Sequence, residues 1–205
     1  MTPRVVPFHG VLTDRLVEEV RALVSAGGVL AIPTDTLYGL AADPLSEAGV
    51  ERVYTLKGRE SGKALPVLAA SVASIDSLGV VLDQRLRAAL SRLWPAPVTV
   101  VLPLASPIPA SGGERTLAVR IPDRPLLCDL LRRVGPLTAT SANRSGDPSA
   151  RSAAEVALAF GSSVPLVLDG GPSESALPST LVDATTRPPR VLREGARFVD
   201  PTLFA

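Results

Sequence analysis

The chain has 205 residues, of which 46% are hydrophobic and 20% are charged, and its formal net charge is +1. This composition is too apolar for an intrinsically disordered protein, and the small net charge gives no overall field that would attract nucleic acid. The single cysteine, Cys128, excludes an internal disulfide framework, and the sequence shows no signal-peptide or membrane-length apolar run, which predicts a soluble cytoplasmic protein.

Helical and strand patterns alternate along the first half of the chain. A short strand at residues 4–8 contains a proline and is expected at a sheet edge, because proline cannot donate to a ladder. Thr13 is the predicted N-cap of a helix that ends near Ala26. The elements that follow are a strand at 28–32, a helix from Ser46 to Lys57, a strand at 66–70, and helical patterns at 72–78 and 82–93.

Short strands dominate the second half of the chain. The predicted elements are strands at 98–102 and 117–121, a helix ending near Val134, a strand at 137–140, a helix from Ser152 to about Phe160, and strands at 164–168, 180–183 and 191–192. Strands alternating with helices indicate an α/β layered domain. The hairpin-like spacing of the last strands favours a mixed sheet over a wholly parallel one.

Polar side chains cluster where the strand at 28–32 ends. The octapeptide 33–40 begins with a proline and then brings Thr34, Asp35 and Thr36 together. Open α/β sheets usually place their ligand sites at such strand ends. A turn in which the threonines and the aspartate bond their own backbone is the equally open alternative.

Three cations lie close together after the second predicted helix. Only two of the 21 basic residues are lysines, and both of them, Lys57 and Lys63, flank Arg59 in this window. Such a group can neutralise a polyphosphate, with arginine giving forked contacts and lysine point charges. A solvated helix end, where cations offset the helix dipole, is the alternative.

Short hydrogen-bonding side chains fill the loop that follows the strand at 137–140. The segment 138–146 is rich in Thr, Ser and Asn, and Ser149 lies just beyond it. Hydroxyls and an amide of this size can approach phosphate and ribose oxygens closely. The alternative is an ordinary turn rich in serine and asparagine.

Single polar residues also lie at or near strand ends, namely Thr116, Arg120, Ser179, Thr180 and Arg193. Arg120 interrupts an apolar strand pattern, and a buried arginine needs an anionic partner. That partner could be a carboxylate of the protein or one of a ligand. One histidine near the N-terminus and a lack of clustered metal ligands argue against a serine-histidine or zinc mechanism. The remaining profile fits the alignment of anionic substrates that react with each other.

Eight short motifs carry a family resemblance. They are 33–40, 57–59, 93–99, 118–122, 141–146, 169–171, 179–180 and 192–193. Together they resemble the YrdC/TsaC family, the threonylcarbamoyl-AMP synthases. The resemblance implies the short form of that family, a single YrdC-like domain over residues 1–205 with the family core at about 7–197. It further implies a twisted mixed β-sheet with flanking helices around a deep basic cavity.

The resemblance also implies a nucleotidyltransferase reaction. L-threonine, bicarbonate and ATP would give threonylcarbamoyl-AMP and pyrophosphate, with Mg²⁺ arriving on ATP and no metal bound by the protein itself. A downstream threonylcarbamoyl-transferase complex would then modify the tRNA adenosine next to the anticodon. Direct contact with tRNA or double-stranded RNA is left open, and no membrane partner is expected.

Site residues follow from the same resemblance. The family's signature residues correspond to Lys57, Arg59, Ser141 and Asn143. The expected ATP-binding residues are these four together with Lys63, Thr116, Ser149 and Arg193. The expected threonine-binding residues are Thr34, Thr36, Arg120 and Ser179.

Two other interpretations use the same features. The first is a double-stranded-RNA or ribosome-associated binding protein that uses the same basic cavity, since shape-based RNA binding needs only phosphate contacts. The even charge and the 3% aromatic content argue against RNA as the main ligand. The second is a carbamoyl-transfer domain like that of hydrogenase-maturation proteins, which carry zinc-finger and acylphosphatase segments that this sequence lacks.

Overall fold

Strands and helices alternate along the chain much as the sequence predicts. The computed structural model describes residues 2–60, 62–173, 175 and 177–204. Its strands are β1 (Arg4–Pro7), β2 (Leu30–Pro33), β3 (Tyr38–Ala41), β4 (Val67–Leu68), β5 (Val98–Pro103), β6 (Thr116–Arg120), β7 (Leu137–Thr138), β8 (Thr140–Ser141), β9 (Leu166–Asp169), β10 (Thr180–Asp183) and β11 (Arg190–Arg193). Its α-helices are α1 (Asp14–Ser25), α2 (Glu47–Lys57), α3 (Gln84–Leu93), α4 (Pro125–Val134) and α5 (Ala153–Phe160). A 3₁₀ helix covers Ala73–Leu78, and shorter ones cover Pro109–Ser111, Gly161–Ser163 and Pro201–Phe204.

The strands form two mixed sheets. A five-stranded sheet has the order β1-β9-β2-β3-β8, and a six-stranded sheet has the order β11-β10-β5-β6-β4-β7. The predicted α/β class with mixed strand directions is therefore confirmed, although the strands divide between two sheets where one was expected. β1 lies at an edge, as its proline predicts.

Two segments differ from the sequence prediction. The octapeptide after β2 does not stay a loop, because Pro33 pairs with Tyr38 and β3 returns antiparallel to β2 as a hairpin. β3 is buried along its whole length, so it shows no polar alternation that would mark it as a strand. The strand expected at 137–140 splits, with β7 paired to β4 in one sheet and β8 paired to β3 in the other.

Predicted helix caps are confirmed by their hydrogen bonds. Thr13 and Ser46 each accept a hydrogen bond from a backbone N–H of the first turn they cap. Ser152 does the same for α5 through the N–H of Glu155. α2 ends because Gly58 adopts the left-handed conformation with φ of 58°, and this leaves Lys57 as its last helical residue.

The six-stranded sheet presents two different faces. Alternate residues of its central strands, among them Val100, Val119 and Val182, pack into the larger hydrophobic core. The residues between them face the other way and line the cavity described below. Each helix in the described part of the chain is too short or too polar to cross a bilayer.

Candidate functional site

Residues from both sheets line one cavity of about 1000 Å³. The structure brings all the predicted site residues to this cavity except Lys63. Those that line it are Thr34, Thr36, Lys57, Arg59, Thr116, Arg120, Ser141, Asn143, Ser149, Ser179 and Arg193. Lys63 is exposed and is not among the lining residues.

The floor of the cavity is one face of the six-stranded sheet. Val101 of β5 lies opposite Ala118 of β6, and Leu181 of β10 lies opposite Thr99 of β5. Because side chains alternate along a strand, Thr116 and Arg120 share the face of Ala118. The small Ala118 side chain leaves room between these two polar residues.

Arg120 is buried, and its anionic partner within the protein is Asp35. Nη1 of Arg120 lies 3.0 Å from Oδ1 of Asp35, and the two side chains are only 7% and 6% exposed. The same Nη1 donates to the hydroxyl of Thr36 at 3.1 Å. Burial lowers the pKa of Arg120, while the Asp35 carboxylate opposes that effect. The ion-pair alternative from the sequence analysis is thus present, yet the guanidinium still lines the cavity.

The turn between β2 and β3 holds two hydroxyls together. Oγ1 of Thr34 lies 3.1 Å from Oγ1 of Thr36, accepts the Thr36 N–H and donates to the carbonyl of Leu37. Both side chains are buried at the cavity wall. The turn predicted as the alternative is therefore formed, and it presents its threonines to the cavity.

Lys57 connects α2 to the loop after β8. Its ammonium donates to the carbonyl of Ser141 at 2.7 Å, the carbonyl of Asn143 at 2.9 Å and the side-chain Oδ1 of Asn143 at 3.3 Å. Burial and the nearby charge of Arg59 lower the pKa of Lys57 to about 8. Three acceptors use all three ammonium protons, so Lys57 fixes this loop.

Asn143 organises the same loop from within. Its Oδ1 accepts the hydroxyl of Ser141 at 2.5 Å, and its Nδ2 donates to the carbonyls of Arg144 and Asp147, each at 2.8 Å. The N–H of Ser145 returns to the carbonyl of Lys57 at 2.8 Å. These bonds give the loop one defined conformation at the edge of the cavity.

Three more arginines reach the cavity without a carboxylate partner in the described chain. Arg59 donates to the carbonyl of Ala64 and lies over the ring of Tyr54, with 5.9 Å to its centroid. Arg193 donates through Nε and Nη2 to the carbonyl of Ser179, and Arg151 donates to the carbonyl of Ser173. With Lys57 and Arg120 they make one lysine and four arginines around the cavity. No aspartate or glutamate of the described residues lines it.

Five polar residues of the lining are not among the predicted site residues: Tyr38, Thr140 and Ser145, which lie in the stretches 33–40 and 138–146, and Thr99 and Arg151. The hydroxyl of Thr99 lies 2.8 Å from that of Ser179, and both are buried. Thr99 could have been found from its position, since it is the polar member of an otherwise aliphatic strand. Arg151 lies two residues beyond Ser149, but a loop gives no periodicity that would orient it. Thr138 has a structural role instead, because its hydroxyl accepts the N–H of Ala42 in the core.

A network of hydrogen bonds between Arg124, Tyr38 and residues 169–171 supports the β2–β3 turn. Arg124 donates to the carbonyls of Thr34 and Gly170, and the hydroxyl of Tyr38 donates to the carbonyl of Gly171. Burial raises the pKa of Tyr38, so this hydroxyl stays protonated as a donor. The motif at 169–171 is part of the family resemblance but has no role assigned from the sequence. In the structure it helps to hold the turn that carries Thr34 and Thr36.

Comparison with known proteins shows one consistent family. The family model Sua5_yciO_yrdC, described as "Telomere recombination", matches residues 22–195. A threonylcarbamoyl-AMP synthase of Chromohalobacter salexigens is 41% identical over 174 residues, which cover 83% of this chain and 92% of that protein. One of Pyrococcus abyssi is 36% identical over 175 residues, which cover 84% of this chain and 52% of that protein. The chain thus spans about half the length of the P. abyssi relative.

A solved structure shares this fold. The crystal structure of P. abyssi Sua5 complexed with L-threonine superposes with a TM-score of 0.86 at 32% sequence identity. The match covers 94% of this chain and 57% of that one.

Proposed function

The chain belongs to the Sua5/YciO/YrdC family, and on that premise we propose that it is a threonylcarbamoyl-AMP synthase. The reaction joins L-threonine, bicarbonate and ATP to give threonylcarbamoyl-AMP, pyrophosphate and water. One observation carries the proposal: Arg120 and the paired threonine hydroxyls line the same cavity as Arg59, Arg193 and the loop after β8. An amino acid and a nucleotide could therefore meet without leaving the site.

The threonine end of the site is proposed around Arg120. Among the described residues Arg120 uses only Nη1 in contacts with the protein, so its remaining donors are open to a carboxylate. Thr34, Thr36 and Ser179 would bind the amino acid's polar groups. The P. abyssi structure named above holds L-threonine, which supports the choice of amino acid.

The nucleotide end is proposed around Arg59, Arg193, Thr116, Ser149 and the loop after β8. In the reaction the threonine nitrogen attacks the carbon of bicarbonate, a C–O bond of bicarbonate breaks, and water leaves with the amine proton to give a carbamate. The carbamate oxygen then attacks the α-phosphorus of ATP, and the bond to pyrophosphate breaks. The arginines would offset the charge that moves onto the leaving group. Lys57 would hold Ser141 and Asn143 in place. Because its three protons are already donated to this loop, its positive charge would act on the phosphates without a direct hydrogen bond.

We class the reaction as nucleotidyl transfer and expect it in the cytoplasm. Mg²⁺ would enter as the ATP complex and bind phosphate oxygens and water. No cluster of three or more His, Cys, Asp or Glu residues in the described chain could hold a metal ion. The product would pass to a threonylcarbamoyl-transferase that modifies tRNA. The RNA-binding alternative is not favoured, because the curated relatives are named as synthases.

The test is pyrophosphate release that depends on threonine. Purified protein is incubated with ATP, Mg²⁺, bicarbonate and either threonine, serine or alanine, and the adenylate product is identified by mass. We expect rapid release with threonine and none without bicarbonate. Release at equal rates with alanine would overturn the substrate, and no release with any amino acid would overturn the reaction.

A variant assigns the amino-acid end of the site. Arg120→Gln should raise the KM for threonine about 10- to 100-fold, since a charged hydrogen bond to the carboxylate is lost, with little change in the KM for ATP. An equal rise in both KM values would contradict the division of the cavity into two ends.

A further inference from the structure

The cations around the cavity differ in how far the protein already neutralises them. Lys57 gives all three of its protons to oxygen acceptors of the loop after β8. Arg120 lies against the carboxylate of Asp35 at 3.0 Å. Lys57 therefore has no donor left for a polyphosphate, and the charge of Arg120 is already offset by Asp35, although its other guanidinium donors stay open.

The other three cations keep their charge available. Among the residues that the structure describes, Arg59, Arg151 and Arg193 donate only to the backbone carbonyls of Ala64, Ser173 and Ser179. No ion pair in the described chain involves any of the three. A carbonyl carries only a partial charge, so it leaves a guanidinium attractive to an anion. Arg59 and Arg193 are already expected to bind ATP, whereas Arg151 has no assigned role.

Arg151 is held at the cavity by its backbone. Its N–H donates to the carboxylate of Glu155 at 2.8 Å, at the start of α5, and this bond fixes where the side chain leaves the chain. Arg151 is an exposed residue of the cavity lining beyond Ser149, and the contact of its guanidinium with the Ser173 carbonyl is long at 3.3 Å. A phosphate oxygen could replace that weak contact with a charge-assisted one.

We propose that Arg151 is an additional phosphate-binding residue of this site. It acts with Arg59 and Arg193 on the triphosphate of ATP and on the pyrophosphate that leaves. The inference deepens the proposed function and rests on it for the identity of the nucleotide. A triphosphate carries several negative charges. Three guanidinium groups that have no carboxylate partner among the described residues match it better than two.

The chain offers a matched control for this proposal. Arg144 belongs to the same loop and is exposed, as Arg151 is, but it is not among the residues that line the cavity. The carbonyl that Arg144 provides to Asn143 belongs to the backbone and survives substitution. Arg144→Gln therefore removes the same charge from the same loop without touching the site.

The experiment compares Arg151→Gln, Arg151→Lys and Arg144→Gln with the unchanged protein. Equilibrium affinities are measured for ATP, pyrophosphate and adenosine at low salt, with thermal unfolding as a check of the fold. Arg151→Gln should weaken ATP and pyrophosphate about 10- to 100-fold, the loss expected for one charged hydrogen bond, and should leave adenosine unchanged. Arg151→Lys should recover part of the loss, and Arg144→Gln should bind like the unchanged protein.

The outcomes separate this inference from the proposed function. Unchanged ATP affinity in Arg151→Gln overturns the inference, even if threonine-dependent pyrophosphate release is intact. An equal loss in Arg144→Gln also overturns it, because a diffuse surface charge would then explain the effect. If Arg151→Gln weakens ATP selectively while no amino acid supports turnover, the phosphate contact stands and the synthase assignment falls. Failure of the unchanged protein to bind ATP or pyrophosphate overturns both.

Discussion

At the scale of single residues, Lys57 combines burial, charge and three hydrogen bonds. From the sequence alone, its replacement is expected to abolish turnover with little loss of fold. The contacts change that expectation, because the carbonyl of Asn143 would lose its Lys57 donor and the carbonyl of Ser141 would keep only the N–H of Asn143. A hydrogen bond to a charged group contributes about 1.5–3 kcal/mol. Lys57→Met should therefore lower the free energy of unfolding as well as the rate.

The pH dependence of stability gives a specific test of Lys57. Its pKa falls from the ordinary lysine value of 10.5, which the unfolded chain retains, to about 8 in the folded protein. Between these two values the unfolded state binds the proton more readily, so the Lys57 contribution to the unfolding free energy rises as pH increases from about 8 to 10.5. Denaturant unfolding across this range should show that rise in the unchanged protein and not in Lys57→Met.

Lys63 supplies the control for that measurement, as it is the other lysine of the chain and is exposed. Lys63→Met removes the same charge without touching the loop after β8, and its pH profile should follow the unchanged protein. Matching profiles for Lys57→Met and the unchanged protein would contradict a buried, pKa-shifted lysine.

At the scale of elements, the β2–β3 hairpin is supported by two other parts of the chain, Arg124 and residues 169–171. A Cβ on Gly170 would lie 2.2 Å from Nη2 of Arg124 and 2.7 Å from Cγ of Pro33. Gly170→Ala should push Arg124 away from the carbonyl of Thr34 and shift the turn. Since a misplacement of about 1 Å can cost 10²-fold in rate, we expect kcat/KM for threonine to fall by up to that factor.

Steady-state kinetics with each substrate varied in turn check this prediction. Arg124→Met removes this support without adding an atom, so it should reproduce the threonine defect of Gly170→Ala. The KM for ATP should change little in both variants, because the loop after β8 is held by Lys57 instead. An unchanged KM for threonine in both variants would show that the turn does not depend on Arg124 or Gly170.

The elements also show what the sequence could and could not predict. Helix caps depend on neighbouring residues, and Thr13, Ser46 and Ser152 were identified correctly. The β3 strand was missed because a strand buried on both faces has no alternating pattern. The split at Ala139 was missed for a different reason: which sheet a two-residue strand joins depends on partners far along the chain.

At the scale of the whole molecule, the predicted site residues converge because distant segments close around one face of a sheet. The sequence indicated that Arg120 needs an anion, but it could not choose between a ligand and Asp35, since that choice depends on tertiary contacts. The same limit separates Lys57 from Lys63, which share one sequence window and yet differ in burial and in access to the cavity. Residue types and motif order were enough to predict which residues belong to the site. The direction in which each side chain points could be learned only from the fold.

Because residues of both sheets line the cavity, we expect a ligand bound there to stabilise the whole fold. A ligand that binds only the folded protein adds about 2.7 kcal/mol to the unfolding free energy at a concentration 100 times its Kd. ATP at that excess should give this increase in denaturant unfolding, and Arg59→Gln at the same ATP concentration should give less because its Kd is weaker. Stabilisation by a double-stranded RNA with none by ATP would contradict the nucleotide site and favour the RNA-binding alternative, since the ligand that the cavity accommodates must be the one that opposes unfolding.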